Sequence, residues 1–272
     1  MKTAQILDLI RADDPLGLLT THLTGEVWTR EAFTSAVESD DLDAYLSHGE
    51  HAASHFEKEV YDIYADFYEE LEKPGHPLKS RLESEVLSQQ EYTLVVFDAL
   101  SLRELPAVQA VLEEAGVAFE VSHALATVPS DTTTFCKQHF GAAGPANIKP
   151  TLDSGGYAYE YAKNTNWKPD FTSQQRRRVI WTLYPDNVFQ LNSAAVSYRD
   201  HIVQPVQTIL RTILDSKPVM PLFITSDHGY IWQGANASWP VDAAETKVMA
   251  DAFKQGRSTN QATQALTEEV EA

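Results

Sequence analysis

A chain of 272 residues, 43% apolar and 22% charged, holds enough apolar side chain for one sizeable core or two modest ones, which excludes a disordered protein. Its net charge of -18 repels a phosphate backbone at long range and disfavours sequence-independent binding of duplex DNA. The first residues lack the apolar core of a secretion signal, no stretch approaches the roughly 18 apolar residues of a membrane span, and the single cysteine, Cys136, excludes an internal disulfide. The expected location is the cytoplasm.

Residues 1–90 carry 19 acids against 7 lysines and arginines and read as an acidic helical region. Short apolar stripes at Ile6, Leu7, Ile10 and at Leu16, Leu18, Leu19 are separated by Asp13-Asp14-Pro15, where proline ends one helix and can start another. The clearest periodicity, Phe56, Val60, Ile63, Tyr64, Phe67 and Leu71, predicts a helix over about 52–71. His48, His51 and His55 stand one turn apart there, a spacing that can hold a transition metal on a helix face, but with no paired acid or cysteine they read as surface or packing residues. A further helix is expected over about 78–90.

The pattern changes at Thr93-Leu-Val-Val-Phe97, a short apolar strand that ends in Asp98 and leads to a helix over about 102–115. Val117 to Leu125 alternates and predicts the next strand, which would make a right-handed parallel crossover. A hydroxyl-rich turn, Thr127 to Thr134, then opens a helix whose free N-terminal amides favour an anion. Residues 141–175 read as loop and insertion. Arg176-Arg177-Arg178 precedes a strand over Val179 to Tyr184, ending in Pro185-Asp186, and its place before the strand marks it as a solvated charge run. A helix over about 195–214 follows, with Pro205 as a point for a kink. Leu222-Phe-Ile224 is a buried strand that breaks off in Thr225-Ser-Asp-His-Gly229. A short helix over about 243–253 and a frayed polar tail over 258–272 complete the chain.

Three apolar strands each end in an aspartate: Asp98, Asp186 and Asp227. A parallel sheet places all its strand C-termini on one edge, so these carboxylates and His228 would converge there. Any one of them alone is better explained as a helix cap; three with an adjacent imidazole reverse that and make a set of hard ligands for zinc, manganese or magnesium. The pattern predicts an α/β fold with a mostly parallel sheet flanked by helices over 91–257. Val95-Val-Phe-Asp98 is not a haloacid-dehalogenase motif, since the second acid that motif needs is here Leu100.

Leu94-Val-Val-Phe-Asp-Ala-Leu100, Pro129-Ser-Asp-Thr132 and Thr225-Ser-Asp-His-Gly229, in this order and spacing, resemble the PglZ domain of the alkaline phosphatase superfamily, named from a component of BREX phage-defence systems. The resemblance implies an alkaline-phosphatase-like core in which two metals flank a threonine or serine nucleophile. Asp98, Asp227 and His228 would bind one metal, zinc by preference and otherwise manganese or magnesium. Thr132 would be the nucleophile, with Ser130, Thr133 and Thr134 as fallbacks. Asp186 would begin a second metal site, which in the family is completed by a histidine four residues on and another near the C-terminus. Here Gln190 stands at the first position and Gln255 near the second, and no histidine follows His228, so one metal is expected rather than two. The neighbouring Asp200-His201 falls in a helix too far from Asp186 to substitute.

Two functions follow from the resemblance. One is a metal-dependent phosphodiesterase or phosphatase acting on a nucleotide or oligonucleotide through Thr132. The other is a catalytically degenerate adaptor of the same fold, with other phage-defence proteins as partners and an acidic helical front to dock on a basic one.

Overall fold

A computed structural model describes residues 14–61, 82–124, 126–127, 130–149, 156–170, 175–191, 196–230, 232 and 247. Four strands, β1 (Tyr92–Asp98), β2 (Tyr157–Ala162), β3 (Arg177–Pro185) and β4 (Leu222–Ser226), form one sheet in the order β2-β3-β1-β4. All pairings are parallel, and helices flank the sheet, so the α/β expectation holds. No helix among the described residues is long and apolar enough to cross a membrane.

The sheet is covered on both faces, which is why β1 is apolar without alternation and wholly buried. On one face Tyr92, Leu94 and Val96 pack with Val179, Trp181 and the aromatic side of α5 (Thr132–Phe140). On the other, Val95, Phe97 and Ile180 pack against α4 (Leu105–Glu114) and α7 (Gln204–Asp215). Ahead of the sheet come the helices α1 (Pro15–His22), α2 (Arg30–Glu38) and α3 (Leu42–Tyr61), and α2, α3 and the turn after α1 form a third cluster around Trp28, Phe33, Tyr45 and Leu46. That cluster also takes in Ala107 and Ala110 of α4 and Tyr198 and Ile202, so the acidic front is packed onto the α/β layer.

Several sequence expectations are corrected. Residues 117–124 have no regular structure and pair with no strand among the described residues, and Phe119 and Val121 are exposed. β1 has both neighbours filled, by β3 and β4, so the crossover from β1 through α4 cannot end beside it. The stretch 141–175 is not all loop: it contains β2, whose tyrosines pack on the α5 face. Its alternation was hidden because Tyr157-Ala-Tyr-Glu-Tyr-Ala162 carries half-polar rings and small residues instead of branched aliphatics. The helix predicted from residue 52 starts ten residues earlier, at Leu42, and the part beyond Tyr61 lies outside the described residues. The segment read as a helix over 78–90 shows one wide turn, Leu82–Leu87. Pro205 sits where a wide turn over Tyr198–Val203 runs directly into the first turn of α7, so the expected long helix changes from wide to regular turns beside the proline. The expected helix near 243–253, the tail over 258–272 and Gln255 lie outside the described residues.

Candidate metal centre

The site sits at the C-terminal edge of three adjacent strands, and the strand register places it there. Phe97 pairs with Ser226, so Asp98 and Asp227 leave β1 and β4 side by side. Asp98 pairs with Pro185 after a register shift between Phe97 and Asp98, which brings the next residue, Asp186, to the same edge as the first residue of α6 (Asp186–Leu191). Beyond the shift, Ala99 has φ 64. That left-handed turn aims its N–H back at Asp227 Oδ1, 3.0 Å away, which offsets part of its strain.

Asp98, Asp186 and His228 each offer a ligand atom within 4.8 Å of the others. Asp98 and His228 are buried and Asp186 half-buried, so the protein has an Asp/Asp/His cluster that could hold a metal ion. Asp227 is held differently. Its Oδ1 accepts from the N–H of Ala99 and of His228 (2.9 Å), while Oδ2 accepts from the Thr132 hydroxyl at 2.7 Å. The His228 Nδ1 lies 2.8 Å from the carbonyl of Gly229; a carbonyl only accepts, so Nδ1 carries a hydrogen and Nε2 faces the cluster. Nε2 is 3.2 Å from Thr132 Oγ1 and 3.6 Å from both Asp98 Oδ1 and Asp227 Oδ2.

Thr132 is the first residue of α5, capped by Asp131, whose carboxylate accepts from the Thr134 N–H at 2.8 Å and from its hydroxyl at 3.0 Å. The Thr132 hydroxyl also lies 3.4 Å from Asp98 Oδ1. Its one hydrogen therefore faces three acceptors, two carboxylates and an imidazole nitrogen. Such a surplus of lone pairs in a buried pocket requires a proton or a cation to balance it, and the oxygen and nitrogen donors fit a divalent ion.

The electrostatics point the same way. Burial, then the charges of Asp227 and Asp186, push the Asp98 carboxyl up to about 8. Burial also raises Asp227, against the opposing pull of His228 and the N–H groups it accepts from. Burial and the charges of Asp227 and Asp98 push the Cys136 thiol up to about 12, which makes it an inert packing residue. Asp98 and Asp227 are thus both held toward the protonated form, and a bound divalent cation would reverse that.

The remaining sequence candidates lie elsewhere. His48 and His51 are exposed on α3. His201 Nδ1 accepts from the Ser197 N–H within its own turn. Arg176 pairs with Glu91, Arg177 reaches the Tyr157 hydroxyl, and Arg178 donates to the Gln175 carbonyl, all at the opposite edge of the sheet. Among the four hydroxyl candidates, Thr132 has the contacts with Asp98, Asp227 and His228 given above, whereas Thr134 is committed to Asp131. Gln190 lies on α6, one turn past Asp186.

Sequence reading missed the frame around the centre. Ser101-Leu-Arg-Glu104 forms a capping box, with the Ser101 N–H and hydroxyl both donating to Glu104 Oε2 at 2.9 and 2.8 Å. The spacing of a serine and a glutamate three residues later carried that signal. No family model, curated protein or solved structure matches the chain.

Proposed function

We propose that the protein is a metal-dependent hydrolase of phosphoric esters, of the PglZ kind, that uses Thr132 as its nucleophile on a nucleotide or oligonucleotide. The observation that supports this most is the convergence of Asp98, Asp227 and His228 on the hydroxyl of Thr132. A single zinc ion is the preferred cofactor, with manganese or magnesium as alternatives. When bound, the cation would be held by Asp98, His228 and one or both of Asp186 and Asp227, and would lower the cost of an alkoxide beside it.

The chain's own residues supply the rest. The Thr132 hydroxyl proton passes to Asp227 Oδ2, its nearest acceptor. Thr132 Oγ1 then forms a bond to phosphorus as the bond from phosphorus to the leaving oxygen breaks, and that oxygen takes a proton from water. Attack of water on the phosphothreonine restores the hydroxyl and releases the phosphate. Thr132 begins α5, where the amides of a helix N-terminus favour the charge of a phosphate.

A second reading, an adaptor with the same fold and at most a structural cation, is favoured by Gln190 at the position where the family has a histidine. A neutral amide there weakens a second metal and with it the activation of water. Hydrolysis of a generic phosphodiester with added zinc or manganese separates the two. The enzyme reading expects turnover and a loss of at least about 10³-fold in Thr132→Val. One cation per chain without turnover supports the adaptor; neither cation nor turnover removes both the enzyme and its metal.

A further inference from the structure

Tyr230, two residues after His228, is gripped at three points. Its hydroxyl donates to Glu104 Oε1 at 2.6 Å, its carbonyl accepts from Arg103 Nη1 at 3.2 Å, and the Arg103 guanidinium lies 4.9 Å over its ring. Glu104 is fully buried and its other oxygen is held by Ser101. Arg103 is anchored at its far side by Glu50 of α3 and lies over the Trp28 ring. Its carbonyl accepts from the hydroxyls of Tyr45 and Tyr198 at 3.0 and 3.1 Å. A buried carboxylate and guanidinium cost desolvation, and here both are aimed at Tyr230 and held in place from behind by the α2–α3 cluster.

That tyrosine touches two members of the metal cluster through one neighbour each. The peptide between Gly229 and Tyr230 carries the carbonyl that takes the His228 Nδ1 hydrogen. The ring of Tyr230 packs on Phe189 of α6 with centroids 4.5 Å apart, and Asp186 is the first residue of that helix. We infer that Tyr230, clamped by Glu104 and by the Glu50–Arg103 pair, is a positioning residue that orients the His228 ring and the helix carrying Asp186. Through Glu50 the acidic N-terminal helices then form part of the frame of the centre, beyond any docking role.

The test uses the full chain and has one arm that needs no metal. In the metal-free wild type, nitrogen NMR of His228, assigned by the signal lost in His228→Asn, shows one tautomer with the hydrogen on Nδ1. Tyr230→Phe keeps the ring and removes the hydroxyl; Arg103→Lys keeps the charge and loses the fork. Both are expected to give a mixture of tautomers and to weaken cobalt(II) binding, followed by its visible spectrum, by about tenfold or more. Tyr45→Phe removes a hydroxyl from the same buried network without touching residues 228–230, and is expected to lower Tm while leaving tautomer and cobalt affinity as in the wild type.

The inference is overturned if Tyr230→Phe and Arg103→Lys lower Tm but keep the single tautomer and the wild-type cobalt affinity, or if Tyr45→Phe changes the site as much as they do. If the wild type binds no cobalt, the metal reading under the proposed function fails, and the tautomer comparison alone decides this one. Should Tyr230→Phe not fold, Arg103→Lys carries the same comparison with the tyrosine whole.

Discussion

At the scale of single residues, the carboxyl of Asp98 gives the sharpest consequence. Its ordinary range is near 3.8 and in the fold it is pushed up to about 8. A carboxyl raised by folding contributes stability that is present in full below its unfolded value and is lost as pH rises through the folded one. Asp227 is shifted in the same direction. The metal-free protein should therefore lose Tm steadily between about pH 5 and pH 8. Asp98→Asn, which cannot ionise, should flatten that slope and melt above the wild type at pH 8 but not at pH 5; thermal scans across this range decide it. A slope unchanged by the substitution would assign the pH dependence to other groups. Cys136, with its thiol held protonated by burial, should in turn resist alkylation at pH 8 in the folded chain.

At the scale of elements, packing explains both what the sequence disclosed and what it hid. The strands that end in Asp98, Asp186 and Asp227 were legible because parallel strands covered on both faces read as unbroken apolar runs. Their meeting on one edge follows from parallel pairing alone, and Thr132 was legible from the hydroxyl turn that opens α5. β2 was not, since its tyrosines lie half-buried at the sheet's margin and need no branched aliphatics. Residues 117–124 misled in the other direction: alternation in Phe119 and Val121 promises a strand, but pairing needs a free ladder, and β1 has none to offer. The start of α3 was missed because Leu42, Tyr45 and Leu46 are buried against Trp28 and Phe33, contacts that no local period reveals. That packing is close at Gly49, where an added Cβ would lie 2.0 Å from the Trp28 ring. Since Trp28 is itself buried, Gly49→Ala must displace the ring or the helix. It should cost roughly 1–3 kcal/mol in urea unfolding, and an unchanged midpoint would show that α3 has slack there.

For the whole molecule, two kinds of negative charge have to be separated. The net charge of -18 is a property of the whole chain, and the repulsion among its exposed charges is long-ranged and screened by ordinary salt. Asp98 and Asp227 of the centre are buried and adjacent, so salt screens them little and a bound divalent cation relieves them directly. Sodium chloride and zinc should therefore raise Tm by distinct routes. The salt effect should be gradual and should survive Asp98→Asn and His228→Asn. The zinc effect should saturate, reach about 2.7 kcal/mol at a hundred times the dissociation constant, be larger at pH 8 than at pH 5 because the cation displaces the Asp98 proton, and vanish in both variants. Calorimetric scans with each additive test this. If zinc stabilised the Asp98→Asn and His228→Asn variants as well as the wild type, its site would lie on the acidic surface, and the convergence of three strand ends at Thr132 would need another explanation than a cation.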